Sequence, residues 1–169
     1  MKLTYDSTTA DVVESATRRF LRSTRYATNR WRGSILCAAA FAALAFLGFH
    51  AKENVNIVVI CLAAAAWGAG LFLVSYKGVV RRRIAGYVAA ELKGPWPRAT
   101  VCELKDGRFI LTMSGANSSF LLADLSGVAE DTAFLELAFG ANGLCVIPLR
   151  AFASTDEKAA FLATLPRPS

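Results

Sequence analysis

Two stretches without a single charged side chain constrain this chain more than anything else in it. Residues 33–49 read GSILCAAAFAALAFLGF, and residues 55–76 read VNIVVICLAAAAWGAGLFLVSY. A helix rises about 1.5 Å per residue and a bilayer core is about 30 Å thick, so a spanning helix needs roughly 20 apolar residues. The second run has that length, and the first reaches it with its flanks. A buried helix of a soluble bundle keeps a polar stripe for water, and neither run has one. The first run also starts too far from residue 1, without a short apolar core and cleavage site, to suit a cleavable signal. The reading is a transmembrane hairpin over 33–76, with spans of about 33–50 and 55–76.

Charge orients that hairpin. The chain carries 19 Lys and Arg against 13 Asp and Glu, and the excess sits beside the apolar runs. Before the first run lie Arg18, Arg19, Arg22, Arg25, Arg30 and Arg32; after the second lie Lys77, Arg81, Arg82, Arg83, Lys93 and Arg98. The connecting HAKEN holds only Lys52 and Glu53. Cationic flanks stay on the cytoplasmic side, so both termini are expected there, with Trp31 and Tyr76 at the interface and Lys77 reaching up to it. Residues 99–169 carry five cations against eight acids. The basic character therefore belongs to the membrane flanks, where it suits an anionic inner leaflet, and nucleic acid is not expected as a partner.

The remaining chain reads as an α+β protein. MKLTYDST alternates as a short strand, and Thr8 or Thr9 can cap a helix whose Asp11 and Glu14 sit at its positive end. On that helix Val13, Ala16, Phe20, Ala27 and Trp31 recur at helical spacing, which makes 1–32 a strand plus an amphipathic, arginine-bearing helix. Residues 77–98 continue as a basic juxtamembrane helix until the prolines of KGPWPR stop it. From residue 99 the runs TVCEL, RFILTMS, SFLLA, TAFLELAFG and LCVIPL alternate between turn signals such as KDG and GANG, the pattern of one small antiparallel sheet. STDEKAAFLATL ends the chain as a helix with Ser154 and Glu157 in a capping box. The opening strand is expected to join the tail sheet across the hairpin.

Ile147, Pro148, Ala151 and Phe152, in CVIPLRAFASTDEKAAFLATL, carry a resemblance to the bacterial YcxB-like family, whose members share an IPxxAF strand end and an acidic, capped terminal helix. The opening LTYDSTTADV, the two spans and the β-rich tail extend the resemblance over nearly the whole chain. It implies a multi-pass protein of the bacterial cytoplasmic (inner) membrane, with a cytoplasmic domain at 99–169 and no established common activity. The chain departs from the family at Leu149, where a basic residue is frequent, and in FLLADLSGV, where a tryptophan is. In element order the tail is similar to a pleckstrin-homology-like (PH-like) sheet closed by a C-terminal helix.

Groups for catalysis do not converge. His50 is the single histidine and sits at the outer end of the first span, away from most acids. Cys37, Cys61, Cys102 and Cys145 have no metal-ligand spacing and read as small apolar residues. No phosphate-binding glycine loop is present, and neither expected span contains an Asp, Glu, Lys or Arg to mark an ion path. No cofactor, metal or catalytic residue is expected. Ala64 with Gly68 and Ala66 with Gly70 form small-xxx-small pairs for helix packing; one face suits the partner span and another suits lipid or a second copy in a homodimer. The expected function is non-enzymatic: an anchored β-rich domain that binds membrane lipid or a protein partner, as a regulatory or immunity protein. The rival is an auxiliary subunit of a transporter or channel that works through its spans.

Overall fold

The computed structural model describes residues 1–52, 55–141 and 143–166, with residues 48–52, 55 and 57 described in backbone alone. In chain order the elements are β1 (Lys2–Ser7), α1 (Thr9–Arg22), α2 (Thr24–Lys52), α3 (Val55–Glu91), β2 (Arg98–Lys105), β3 (Arg108–Met113), β4 (Ala116–Leu121), β5 (Leu125–Glu130), β6 (Phe134–Phe139), β7 (Gly143–Pro148) and α4 (Thr155–Ala163). They divide into two compact units, Met1–Arg19 with Ile84–Ser169, and Phe20–Arg83. The chain is thus α+β, with two long apolar helices inserted between the first strand and the other six.

In the β-rich unit the strands form two antiparallel sheets rather than the single sheet the alternation suggested. One has the order β1-β2-β3-β4 and the other β5-β6-β7. A lone sheet of seven strands would leave most of one apolar face to a single nine-residue helix; two sheets facing a common interior bury both faces. Leu3, Cys102 and Phe109 from the first sheet share that interior with Leu135, Leu137 and Ile147 from the second and with Phe161 from α4. Phe109, Leu135, Leu137 and Ile147 are fully buried, and the Phe120 and Phe139 rings stack with centroids 4.8 Å apart.

The opening strand joins this unit as its alternation implied. Leu3 stands opposite Cys102, Tyr5 opposite Thr100, and the ladder runs from Lys2–Glu103 to Ser7–Arg98. KDG makes the expected tight turn, with Asp106 and Gly107 at φ of 50° and 70°, the left-handed pair that matches strand twist in a two-residue hairpin. The next turn lies earlier than GANS suggested: Ser114 and Gly115 take the positive φ values, so the ANS of GANS opens β4 and SFLLA ends in a 3-10 turn, Leu122–Asp124. Strand β5, LSGVAE, has no counterpart in the sequence reading.

Thr8, not Thr9, caps α1. Its Oγ1 accepts from the Asp11 amide at 3.3 Å while the Thr8 amide donates to Asp11 Oδ2 at 2.6 Å, a reciprocal box with aspartate in the third helical position. The helix does not run on to Trp31. It ends at Arg22; Ser23 donates its hydroxyl to the Phe20 carbonyl at 2.6 Å and accepts from the Tyr26 amide, so one serine closes α1 and opens α2. A serine that bonds to nearby backbone offers the chain an alternative to continued helix, and here that breaks the run.

In the second unit α2 and α3 form an antiparallel hairpin. Phe41 of α2 packs against Gly68 of α3 and Phe72 against Gly33, while Tyr26 stacks on Tyr76 at 5.4 Å. Contacts that climb one helix while descending the other define the pairing. Both helices are long and apolar enough to cross a membrane, and in their apolar windows only 11% and 6% of residues are buried. Leu62, Trp67, Leu71 and Val74 are more than half exposed. A core helix of a soluble protein would have these covered.

Phe109→Ala is expected to cost about 3–5 kcal/mol, because its ring is fully buried between both sheets. Chemical unfolding of the detergent-solubilised chain, followed by near-UV circular dichroism, reads that loss directly.

Candidate functional site

Helix α1 is fastened to the sheets by two ion-pair nodes. At its start, Asp11 accepts from Arg150 Nη1 at 2.9 Å, and from Nη2 through its other oxygen. Thr8 donates both its amide and its hydroxyl to the same carboxylate. Burial alone would raise the Asp11 pKa, but Arg150 and Thr8 outweigh it and hold the carboxyl below its usual range. About two turns further on, Arg18 reaches Glu14 at 2.8 Å, Asp131 at 2.6 Å and Glu136 at 2.6 Å. Its guanidinium carbon also lies 4.8 Å from the centre of the Phe134 ring. Burial opposes the charge on Arg18, yet the three carboxylates more than compensate and its pKa rises.

Beneath α1 lies a buried polar layer. Thr100 donates to Ser7 across the β1–β2 pair at 2.8 Å, and both side chains are almost fully buried. Burial pushes the Tyr5 phenol far up, the Cys102 thiol up to about 12, and the Cys145 thiol well above its ordinary value. A thiol nucleophile acts as thiolate, so these two cysteines are inert packing groups.

Two cavities open beside α1. The larger, about 420 Å³, is lined by Arg19, Arg108, Ser119, Asp124, Phe120 and Phe139, among others. The smaller, about 230 Å³, shares Arg19 and Phe120 as walls; it continues along Val12, Ala16, Leu111 and Leu144, with Ser7 and Thr100 also lining it. Gly143 borders the larger cavity, and a Cβ there would stand 2.6 Å from the Phe139 carbonyl oxygen. Glycine is what lets β7 turn back so close to β6. Arg108 Nε donates to Ser119 at 2.8 Å.

The residues singled out from sequence lie elsewhere. Trp31 is 62% exposed; Arg32, Lys77, Arg81, Arg82 and Arg83 are exposed and Arg30 is half-buried. Tyr76 stacks between Tyr26 and Phe72. Of the small-residue pairs, Ala64 and Gly68 are half-buried while Ala66 and Gly70 are exposed. Gly70 has open space where a Cβ would stand. Ile147, Pro148, Ala151 and Phe152 are all buried; the exposed member of that stretch, Arg150, is the one that grips Asp11. The His50 side chain lies outside the described residues. Asp11 with Arg150, and Arg19 with Arg108, carried no sequence signal, because each pair is assembled from distant segments.

No family model matches the chain, and neither a curated protein nor a solved structure is significantly similar to it.

Two outcomes test this geometry. An aspartate whose folded pKa is depressed contributes stability that is fully present above its unfolded value, about 3.9, and lost as pH falls through the folded value. Removing Arg150 leaves burial as the largest influence on Asp11, so Arg150→Ala should move the acid-unfolding midpoint to higher pH than wild type. Separately, a Cys37→Ser/Cys61→Ser chain should resist Ellman's reagent at pH 8 while folded. Two thiols, Cys102 and Cys145, should react once it is unfolded.

Proposed function

We propose that this chain is a non-enzymatic membrane-anchored protein: an α-helical hairpin inserts in the bacterial inner membrane and tethers a cytoplasmic, PH-like domain of the YcxB-like kind. That domain binds lipid headgroups or a membrane protein, in a regulatory or immunity role. The observation that carries this reading is the contrast between the two units. The β-rich unit has a complete apolar interior, whereas α3 leaves nearly all of its apolar window uncovered by the chain, the condition of a helix whose solvent is lipid.

Strand pairing supports the topology. Residues 2–7 pair with 98–103, so both flanks of any inserted hairpin must end on one side of the bilayer. The arginine-rich flanks favour the cytoplasmic side. Four strands plus three, followed by a terminal helix that contributes Phe161 to the interior, support the PH-like part of the reading and the closure by α4. Tethering raises the local concentration of the domain for membrane partners without any added contact.

Reversing Arg81, Arg82 and Arg83 to Glu is expected to misorient or destabilise the hairpin, as read by a C-terminal topology reporter. Unchanged topology would sink the address role of these arginines. Replacing residues 33–76 with an unrelated two-span hairpin should preserve crosslinking of the β-rich unit to its partner in native membranes. Loss of that crosslink together with full membrane insertion would favour the rival, an auxiliary transporter or channel subunit acting through its spans, for which the open Ala66 and Gly70 face is the available contact surface.

A further inference from the structure

The two cavities beside α1 have a chemistry of their own. In the β-rich unit Arg18, Arg150 and Lys158 each face a carboxylate. Arg19 and Arg108, by contrast, line one cavity and form no ion pair among the described residues. Asp124 lines the same cavity, which leaves it one positive charge in excess. Ser119 holds Arg108 through Nε alone, so the guanidinium is oriented while its two terminal nitrogens keep their donors. A planar fork positioned in this way matches two oxygens of a phosphate or carboxylate. At about 420 Å³ the space is in the range of small-ligand sites, roughly 300–1,000 Å³.

The adjoining cavity has a different character. It shares Arg19 and Phe120 with the first, and its walls are mainly apolar, with Val12, Ala16, Leu111 and Leu144 among them. Of the hydroxyl side chains that line it, the two that are buried, Ser7 and Thr100, already bond to one another. A ligand entering there therefore needs no polar end to satisfy them. Cationic mouth and apolar interior together select an amphiphile with an anionic head.

We propose that this site binds a phosphate monoester bearing a short apolar tail, its phosphate on Arg19, Arg108 and Ser119, and its tail running past Phe120 along α1. The inference rests on the reading of the β-rich unit as a binding module and names its ligand class. The same chemistry is offered by a phosphatidic-acid type of bilayer lipid and by a soluble alkyl phosphate.

The test uses the full chain in phosphatidylcholine nanodiscs, titrated calorimetrically with hexyl phosphate against empty discs. Saturable binding is expected. Arg19→Ala or Arg108→Ala should weaken it about tenfold, and Asp124→Asn should strengthen it about threefold by removing the repelling charge. Inorganic phosphate should bind at least about tenfold more weakly, since it has no tail to bury. All three side chains are exposed, so the variants should keep the wild-type circular dichroism spectrum. Equal binding by hexyltrimethylammonium, indifference to both arginines, or inorganic phosphate binding as tightly as hexyl phosphate would overturn the proposal. Hydrogen exchange of β3 and β4 identifies the source. Protection in discs containing phosphatidic acid assigns a bilayer lipid, and protection only on adding hexyl phosphate assigns a soluble one; protection by neither overturns the site. Crosslinking to a membrane partner is measured independently, so a failed ligand and a failed binding-module reading give different results.

Discussion

The pairing of β1 with β2 is the constraint on which the rest of the structure depends. Leu3 lies opposite Cys102, 99 positions along the chain, across intervening sequence that includes both long helices. That ladder places Leu3 in the shared interior and Ser7 against Thr100. It also delivers Asp11, held by Thr8, to the point where Arg150 meets it. Without it the first sheet would lose an edge strand and α1 would lose its anchor. Closing so long a loop costs conformational entropy that grows only slowly with loop length, and a prepaired α-helical hairpin shortens the effective loop further.

Helix α1 turns this constraint into a site. Its inward positions, Asp11, Val13 and Thr17, are buried, and two ion-pair nodes fix where its outward arginine lands. Arg18 and Arg19 are neighbours in sequence with opposite fates. Arg18 is neutralised by three carboxylates, whereas Arg19, about 100° further around the helix, lines both cavities. The same residue type is structural at one position and available to a ligand at the next. Burial of Cys102 and Cys145 fits a unit held by packing, because raised thiol pKa values remove two reactive groups from its interior.

Several elements were legible in the residues themselves. The uncharged runs announced α2 and α3, the S-x-x-E spacing announced the cap of α4, with Glu157 donating its amide to Ser154 at 3.1 Å, and KDG announced the β2–β3 turn. These signals are local: a length, a three-residue spacing, a pair of left-handed residues. Strand β5 escaped notice because LSGVAE contains a glycine and few large apolar residues, and its ladder to β6 is interrupted between Leu125 and Gly127. The end of α1 at Ser23 escaped because apolar periodicity carries on through it, while the hydroxyl that breaks the helix acts through two hydrogen bonds to backbone three residues away on either side.

By itself the sequence determined the apolar lengths, the placement of cationic flanks, the caps and the turn chemistry, since each is decided by residues within a few positions of one another. Only the tertiary structure decided that seven strands divide four and three, that Asp11 meets Arg150, and that Arg19 and Arg108 line one cavity. Those arrangements depend on which apolar faces bury one another and on where α1 is clamped. Residues 89 positions apart acquire a common function only after both sheets and the helix between them have packed.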